Sequence, residues 1–238
     1  RGDDPHNLFV AERDFARQLG ILAGNWRALD LDGYLEALRS GRWPRRSFLL
    51  TIDDGFISTL EIAAPLLSRF HLPAVLFVCP GLVGHRSSWM PEMPDEGLLT
   101  AEQIRTLGGA GMEIGVHGMD HVLLQGLDPA QLRRQVEEAK ESVEAITGTA
   151  ARAFAYPEGV FDRDSLKAVR DAGFAVGFSV HRDGGPFAIP RRPINTRDSM
   201  ATFRAKLLPG FNRLWSMSDG HPVIRRAAAR LAGQRRSG

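Results

Sequence analysis

Apolar positions along the chain fall into two patterns, short unbroken runs and longer stretches with apolar residues three and four apart. Their alternation predicts successive βα units around a parallel sheet. Ser47 to Ile52 reads as one buried strand, Ala74 to Val78 as a second, Glu113 to Val116 as a third, Ala153 to Tyr156 as a fourth and Phe174 to Val180 as a fifth. Helical spacing fills the gaps. Ser58-Thr59-Leu60-Glu61 has the spacing of a capping box, and Leu60, Ala63, Ala64 and Leu67 continue as a helix that Pro65 should kink. Thr100-Ala101-Glu102-Gln103 opens another helix toward Gly111 in the same way. The longest helical stretch runs from the cap Asp128 through Pro129 at its first position to the terminator Gly148. Its inward face of Leu132, Val136, Ala139, Val143 and Ile146 is core rather than a site. Asp164 to Ala172 is a further helix stopped at Gly173, two helical pieces near Ala11 to Leu19 and Leu31 to Ser40 precede the first strand, and beyond Pro193 the pattern weakens. The expected organisation is a helical lead-in over 1–46, a barrel over 47–215 and a basic helical tail over 216–238.

Composition narrows the class without choosing a chemistry. An apolar fraction of 43% and a charged fraction of 24% are those of an ordinary soluble domain. No run approaches the ~20 apolar residues of a membrane-spanning helix. A net charge of +2 gives no argument for a nucleic-acid partner, but the basic residues gather late, with Arg225, Arg226, Arg230, Arg235 and Arg236 beside Val223, Ile224, Ala227 and Leu231. A solvated terminal helix is the plain reading of that tail, and contact with an anionic surface is the alternative. Cys79 is the single cysteine, so no internal disulfide exists, and its apolar neighbours predict a small buried core residue. With the polar start Arg1-Gly2-Asp3-Asp4, this favours a reducing compartment such as the cytoplasm; a chain whose leader had been removed would instead belong to the cell envelope or be secreted.

The chemistry lies at the strand ends, where a parallel α/β barrel carries its active site. The first strand runs into Asp53-Asp54-Gly55, the third into His117-Gly118-Met119-Asp120-His121, the fourth into Pro157-Glu158-Gly159 and the fifth into His181-Arg182-Asp183. Histidines four apart can reach one cation if the chain makes a turn of helix, and a carboxylate from another strand would complete a facial ligand set. Adjacent carboxylates beside a cation can divide labour, one ligating while the other takes a proton from water, which predicts a hydrolase. The alternative for Asp53-Asp54-Gly55 is a turn with a helix cap. Trp89 sits in the long connection after the second strand, where an aromatic face could stack on a sugar ring or simply anchor the loop.

Three segments carry a resemblance. Thr51-Ile52-Asp53-Asp54-Gly55-Phe56 looks like the first motif of the polysaccharide deacetylases (NodB homology, carbohydrate esterase family 4-like), His117-Gly118-Met119-Asp120-His121 resembles their His-x-x-x-His motif, and Phe154-Ala155-Tyr156-Pro157-Glu158-Gly159 resembles their third. The similarity runs from about Phe9 to Ile194, with the motifs in the family's order and spacing. The resemblance implies a distorted (β/α) barrel of about seven parallel strands. It implies Zn²⁺, or another divalent metal such as Co²⁺ or Ni²⁺, held by Asp54, His117 and His121, with Asp53 as general base. Glu158 would offer its backbone N–H to the oxyanion, and Tyr156, Pro157 and Gly159 of the third motif would meet the substrate, joined by Trp89 if its loop presents it to the sugar. That substrate would be a carbohydrate, losing an N-acetyl or related acyl group from an acetylated amino sugar.

Departures from the pattern are informative. Gly118 replaces a usual Ser or Thr, Ala155 stands where an Arg that pairs with the base is frequent, and Glu158 stands where an aromatic residue is common. The family's late Leu-x-x-His pattern has no counterpart after Pro193, which leaves His181 as the candidate general acid, with Asp183 to orient it. Such losses would also permit a barrel that binds carbohydrate without turnover, and related barrels admit a metal-dependent amidase acting on a non-sugar C–N bond.

Overall fold

A computed structural model describes residues 10–87, 89 and 97–208, so the basic tail expected over 216–238 lies outside the described residues. The chain begins with α1 (Glu12–Asn25), β1 (Arg27–Ala28), α2 (Leu31–Ser40), β2 (Ser47–Phe48) and β3 (Thr51–Ile52). A wide i→i+5 turn over Thr59–Ala63 leads into α3 (Ala64–Phe70), followed by β4 (Val75–Val78), α4 (Ala101–Gly109) and β5 (Glu113–Val116). Next come α5 (Pro129–Arg133), a second wide turn over Arg134–Glu138, α6 (Ala139–Thr147), β6 (Ala153–Ala155), α7 (Arg163–Asp171), β7 (Val176–Ser179), β8 (Ile189–Pro190) and α8 (Met200–Lys206). Strands β3 to β8 form one six-stranded sheet in chain order, parallel throughout, and β1 pairs in parallel with β2 as a separate two-stranded sheet. This is the predicted α/β barrel architecture, with the main sheet curled into an open half-barrel. No described helix is long and apolar enough to cross a membrane.

The strands are buried on both faces, which is why they read as continuous apolar runs. Val75 and Phe77 of β4, Ala153 and Ala155 of β6, and Val176 and Phe178 of β7 fill the inside of the curl, against Leu31, Tyr34 and Leu35 of α2. The alternate residues Leu76, Val78, Val116 and Phe154 face Ile104, Leu107, Val136 and Val143 on the surrounding helices. Leu19, Leu22, Leu67 and Phe203 bring α1, α3 and α8 together around β3. Beneath the strands, Arg152 ties Glu113 of β5 to Asp32 of α2.

Several boundaries follow the chemistry of caps. Thr100 and Asp128 both form full capping boxes, with Gln103 and Gln131, and Asp162 rather than Asp164 caps α7. The box expected at Ser58 does not form; Ser58 is itself helical, and the wide turn that follows runs on into α3 with Pro65 near the point where the hydrogen-bond pattern changes. The expected single strand from Ser47 to Ile52 is two, because Ser47–Phe48 pairs with β1 while Thr51–Ile52 pairs with β4.

Gly115 marks a tight point on β5, the strand that leads to His117. It stands in register with Phe77, and a Cβ there would lie 2.5 Å from the Phe77 ring and 2.9 Å from the Ala153 carbonyl oxygen. Gly115→Ala is therefore expected to destabilise the fold by about 1–3 kcal/mol, measured by chemical denaturation, since neither the ring nor the neighbouring strand has room to yield.

Candidate active site

One cavity of about 940 Å³ collects the strand ends, and its walls include Asp53, Asp54, His117, His121, Glu158, Gly159 and His181. The histidines meet without the turn of helix that their spacing would require. Gly118 takes φ +77° and His121 φ 58°, so two left-handed residues fold the loop back on itself. Of the five non-glycine residues described with positive φ, three are at this site: Asp54, His121 and Glu158. Such conformations persist only where the surroundings impose them.

The Nε2 atoms of His117 and His121 each lie 3.3 Å from Asp54 Oδ1, and one ligand atom from each of the three residues falls within 4.8 Å of the others. His117 Nδ1 is 2.7 Å from the Ala155 carbonyl oxygen. A carbonyl can only accept, so Nδ1 carries the proton and Nε2 turns its lone pair toward Asp54. Asp54 Oδ1 is buried and receives no hydrogen bond. The Nε2 atoms of both histidines and an unpartnered carboxylate oxygen thus converge, and this set of two imidazoles and a carboxylate is one that can hold a divalent ion such as Zn²⁺. Burial opposes ionisation of Asp54, but the two imidazoles beside it outweigh that and hold its pKa below the usual carboxylate range. Burial likewise disfavours a charged His117, yet Asp53 and Asp54 outweigh it and raise its pKa.

Asp53 points elsewhere. Its two oxygens each accept a bond of 2.7 Å from the Arg191 guanidinium, which also donates to Thr51 Oγ1 at 2.9 Å. Burial raises the Asp53 pKa, but the Arg191 charge, the nearby His117 and the two hydrogen bonds more than offset it, and the net shift is downward. The carboxylate still keeps 33% of its side-chain surface open. Arg191 follows β8, where its backbone N–H bonds Ser179 O, and its guanidinium lies over the rings of Phe77 and Phe178 at 5.6 and 6.0 Å. The segment behind it is pinned by Lys206, which donates to the Pro193 carbonyl and pairs with Asp198 at 2.6 Å. Sequence reasoning missed Arg191; its one signal is a basic pair between two prolines, Pro190-Arg191-Arg192-Pro193, directly after an apolar run.

Other expectations need correction. Tyr156 cannot offer its side chain to a substrate, because it is fully buried between Phe154 and Phe161 and its hydroxyl donates to the Phe187 carbonyl. Pro157 is buried too, packed beneath Gly118, while Glu158 and Gly159 remain on the cavity wall. Trp89 lines the cavity, but one face of its indole is already stacked on His121, with ring centroids 4.0 Å apart and planes 17° apart. It braces a candidate ligand rather than leaving both faces free. His181 is exposed on the cavity wall, and Asp183 does not orient it; Asp183 accepts from the Gly185 N–H instead. Cys79 is buried as expected, with its thiol on the His117 carbonyl.

The profile of the polysaccharide deacetylase family matches residues 40–177, more than half of the 238 residues. YxkH of Bacillus subtilis, itself assigned to the polysaccharide deacetylases, is 26% identical over 162 residues, which cover 66% of this chain and 54% of that protein. The poly-beta-1,6-N-acetyl-D-glucosamine N-deacetylase of Staphylococcus epidermidis is 25% identical over 201 residues, covering 78% of this chain and 68% of that one. The chain thus matches about half the length of the first relative and two thirds of the second. Among solved structures, the Streptococcus pyogenes deacetylase PplD superposes with a TM-score of 0.75 at 21% identity, over 88% of this chain and 94% of that one. IcaB from Ammonifex degensii gives 0.73 at 24% identity, over 87% and 92%. At these identities the structural likeness is one of fold.

If the three converging residues hold a cation, adding Zn²⁺ or Co²⁺ to the metal-free chain raises its melting temperature. The stabilisation is about 2.7 kcal/mol once free ion exceeds its Kd a hundredfold. Calorimetry on Asp54→Ala should show no such rise.

Proposed function

The chain belongs to the polysaccharide deacetylase family, and from that premise we propose that it is a metal-dependent hydrolase removing N-acetyl groups from amino sugars in a carbohydrate polymer. The observation that carries this reading is the pairing, in one cavity, of a cation-shaped set (Asp54, His117, His121) with a separately clamped carboxylate, Asp53. The relative from Staphylococcus epidermidis points to β-1,6-linked N-acetylglucosamine as the first polymer to try.

A bound divalent ion would supply Lewis acidity to the acyl carbonyl and to the attacking water. The remaining work falls to the chain. Asp53 accepts the proton of that water, and Arg191 keeps the carboxylate ionised and fixed in direction while leaving part of it open to the cavity. The Glu158 backbone N–H is the candidate donor to the developing oxyanion, since Glu158 turns into the cavity in a left-handed conformation. His181, exposed on the same wall, is the candidate that returns a proton to the departing amine. Arg191 also weakens the case for a barrel that has lost turnover, because the base has an arginine partner despite Ala155.

Two measurements test the division of labour. Asp53→Asn should retain its cation yet lose about 10²- to 10⁴-fold in acetate release from β-1,6-linked N-acetylglucosamine oligomers or chitin oligosaccharides. Loss of the cation together with activity would put Asp53 among the ligands instead. Arg191→Met removes the charge that holds the Asp53 pKa down. The carboxylate then protonates at higher pH, and because the base works only when ionised, the acid limb of the kcat/KM profile should move to higher pH; a limb that stays in place would show that Arg191 does not tune the base.

A further inference from the structure

The loop between the two histidines carries its own support, and it comes from a helix face that otherwise serves the core. We infer that Gln135 is a positioning residue for the candidate cation site, holding the His117–His121 loop in the shape that lets both imidazoles converge. This rests on the reading of Asp54, His117 and His121 as ligands.

Gln135 is 3% exposed and sits in the wide turn over Arg134–Glu138. Its Oε1 accepts the Met119 N–H at 2.8 Å and the Asp120 N–H at 3.4 Å, and its Nε2 donates to Asp120 Oδ1. Arg134, its neighbour in the same turn, donates to Asp120 Oδ2 at 2.6 Å. The two backbone donors fix which end of the amide faces the loop, so Nε2 must face the Asp120 carboxylate. One buried amide thereby reaches both residues after Gly118 and the side chain just before His121, while the Gly81 N–H holds the Met119 carbonyl from the other side. Gly118 offers no side chain to do this, and a Cβ on it would already lie 3.2 Å from Gln135 Oε1.

The bond pattern explains why a polar group is tolerated among Leu132, Val136, Ala139 and Val143. A buried amide is costly unless its partners are present, and here they are. Wide turns interrupt helices chiefly where a side chain has a task, and this one directs Arg134 and Gln135 together at Asp120. His117 has independent anchors in the Val78 and Ala155 carbonyls. His121, beyond the loop, has its ring stacked on Trp89, and its backbone position follows from the course of residues 118–120.

The test uses cobalt as probe, with its visible absorption band and its dissociation constant as readouts, and amide hydrogen exchange on the metal-free chain. Gln135→Met keeps the volume and removes every polar contact. Met119 should lose amide protection, cobalt should bind about 10- to 100-fold more weakly, and the band should change. The double variant Gln135→Glu with Asp120→Asn reverses the side-chain hydrogen bond at constant charge while retaining an acceptor for Met119. It should recover Met119 protection, the band and most of the affinity, which a loss of packing alone would not do. Should Gln135→Met fail to fold, the double variant set against Asp120→Asn alone gives the same comparison. Unchanged cobalt affinity and spectrum in Gln135→Met, or a double variant no better than Asp120→Asn, overturns the inference and leaves the cation site standing. No cobalt binding by the unmodified chain overturns the site and the inference with it.

Discussion

Between β3 and β8 no ladder of backbone hydrogen bonds joins the sheet edges among the described residues, and the Arg191 guanidinium spans that opening instead. It reaches Thr51 on one edge strand from a position just beyond the other, and the carboxylate that receives it is the candidate base. Its charge is bearable there because the carboxylate answers it with paired bonds and two aromatic faces lie beneath it. One side chain therefore both links the two edges of the sheet and aims Asp53. Phe77 and Phe178 can lie under the guanidinium because the neighbouring inward positions are small: Gly115, Ala153 and Ala155.

The adjacent carboxylates are separated by their partners rather than by distance along the chain. Asp53 faces a fixed positive side chain, while Asp54, in a left-handed conformation, faces the Nε2 atoms of two imidazoles. Both pKa values are lowered, with His117 contributing to each, but Arg191 acts on Asp53 and His121 on Asp54. An arginine cannot be titrated away at any ordinary pH, whereas the imidazoles remain free to accept a cation. The same pair of residue types thus produces one site that is permanently compensated and one that is waiting for charge.

Much of this was legible in the sequence, for identifiable reasons. Strands buried on both faces show as apolar runs, and caps such as Thr100 and Asp128 act within three residues, so β4, β5, α4 and the start of α5 fall where expected. The motif residues gather in one cavity because strand ends in a parallel sheet share a face. What stayed hidden is either too short for periodicity or set by distant contacts. β8 has two residues, the split between Phe48 and Thr51 depends on pairing with β1, and the burial of Tyr156 reflects packing against Phe154 and Phe161. Arg191 and Gln135 were invisible as site residues because their partners lie 138 and 16 positions away.

The 138-residue span between Arg191 and Asp53 also orders events in time. As the chain leaves the ribosome, Asp54, His117 and His121 are all present once β5 and its loop have appeared, but the arginine that aims the base arrives only with the last strand of the sheet. Long-range contacts of this kind close late and slowly. A nascent or interrupted chain therefore carries Asp54, His117 and His121 long before it carries the arginine that fixes the direction of Asp53.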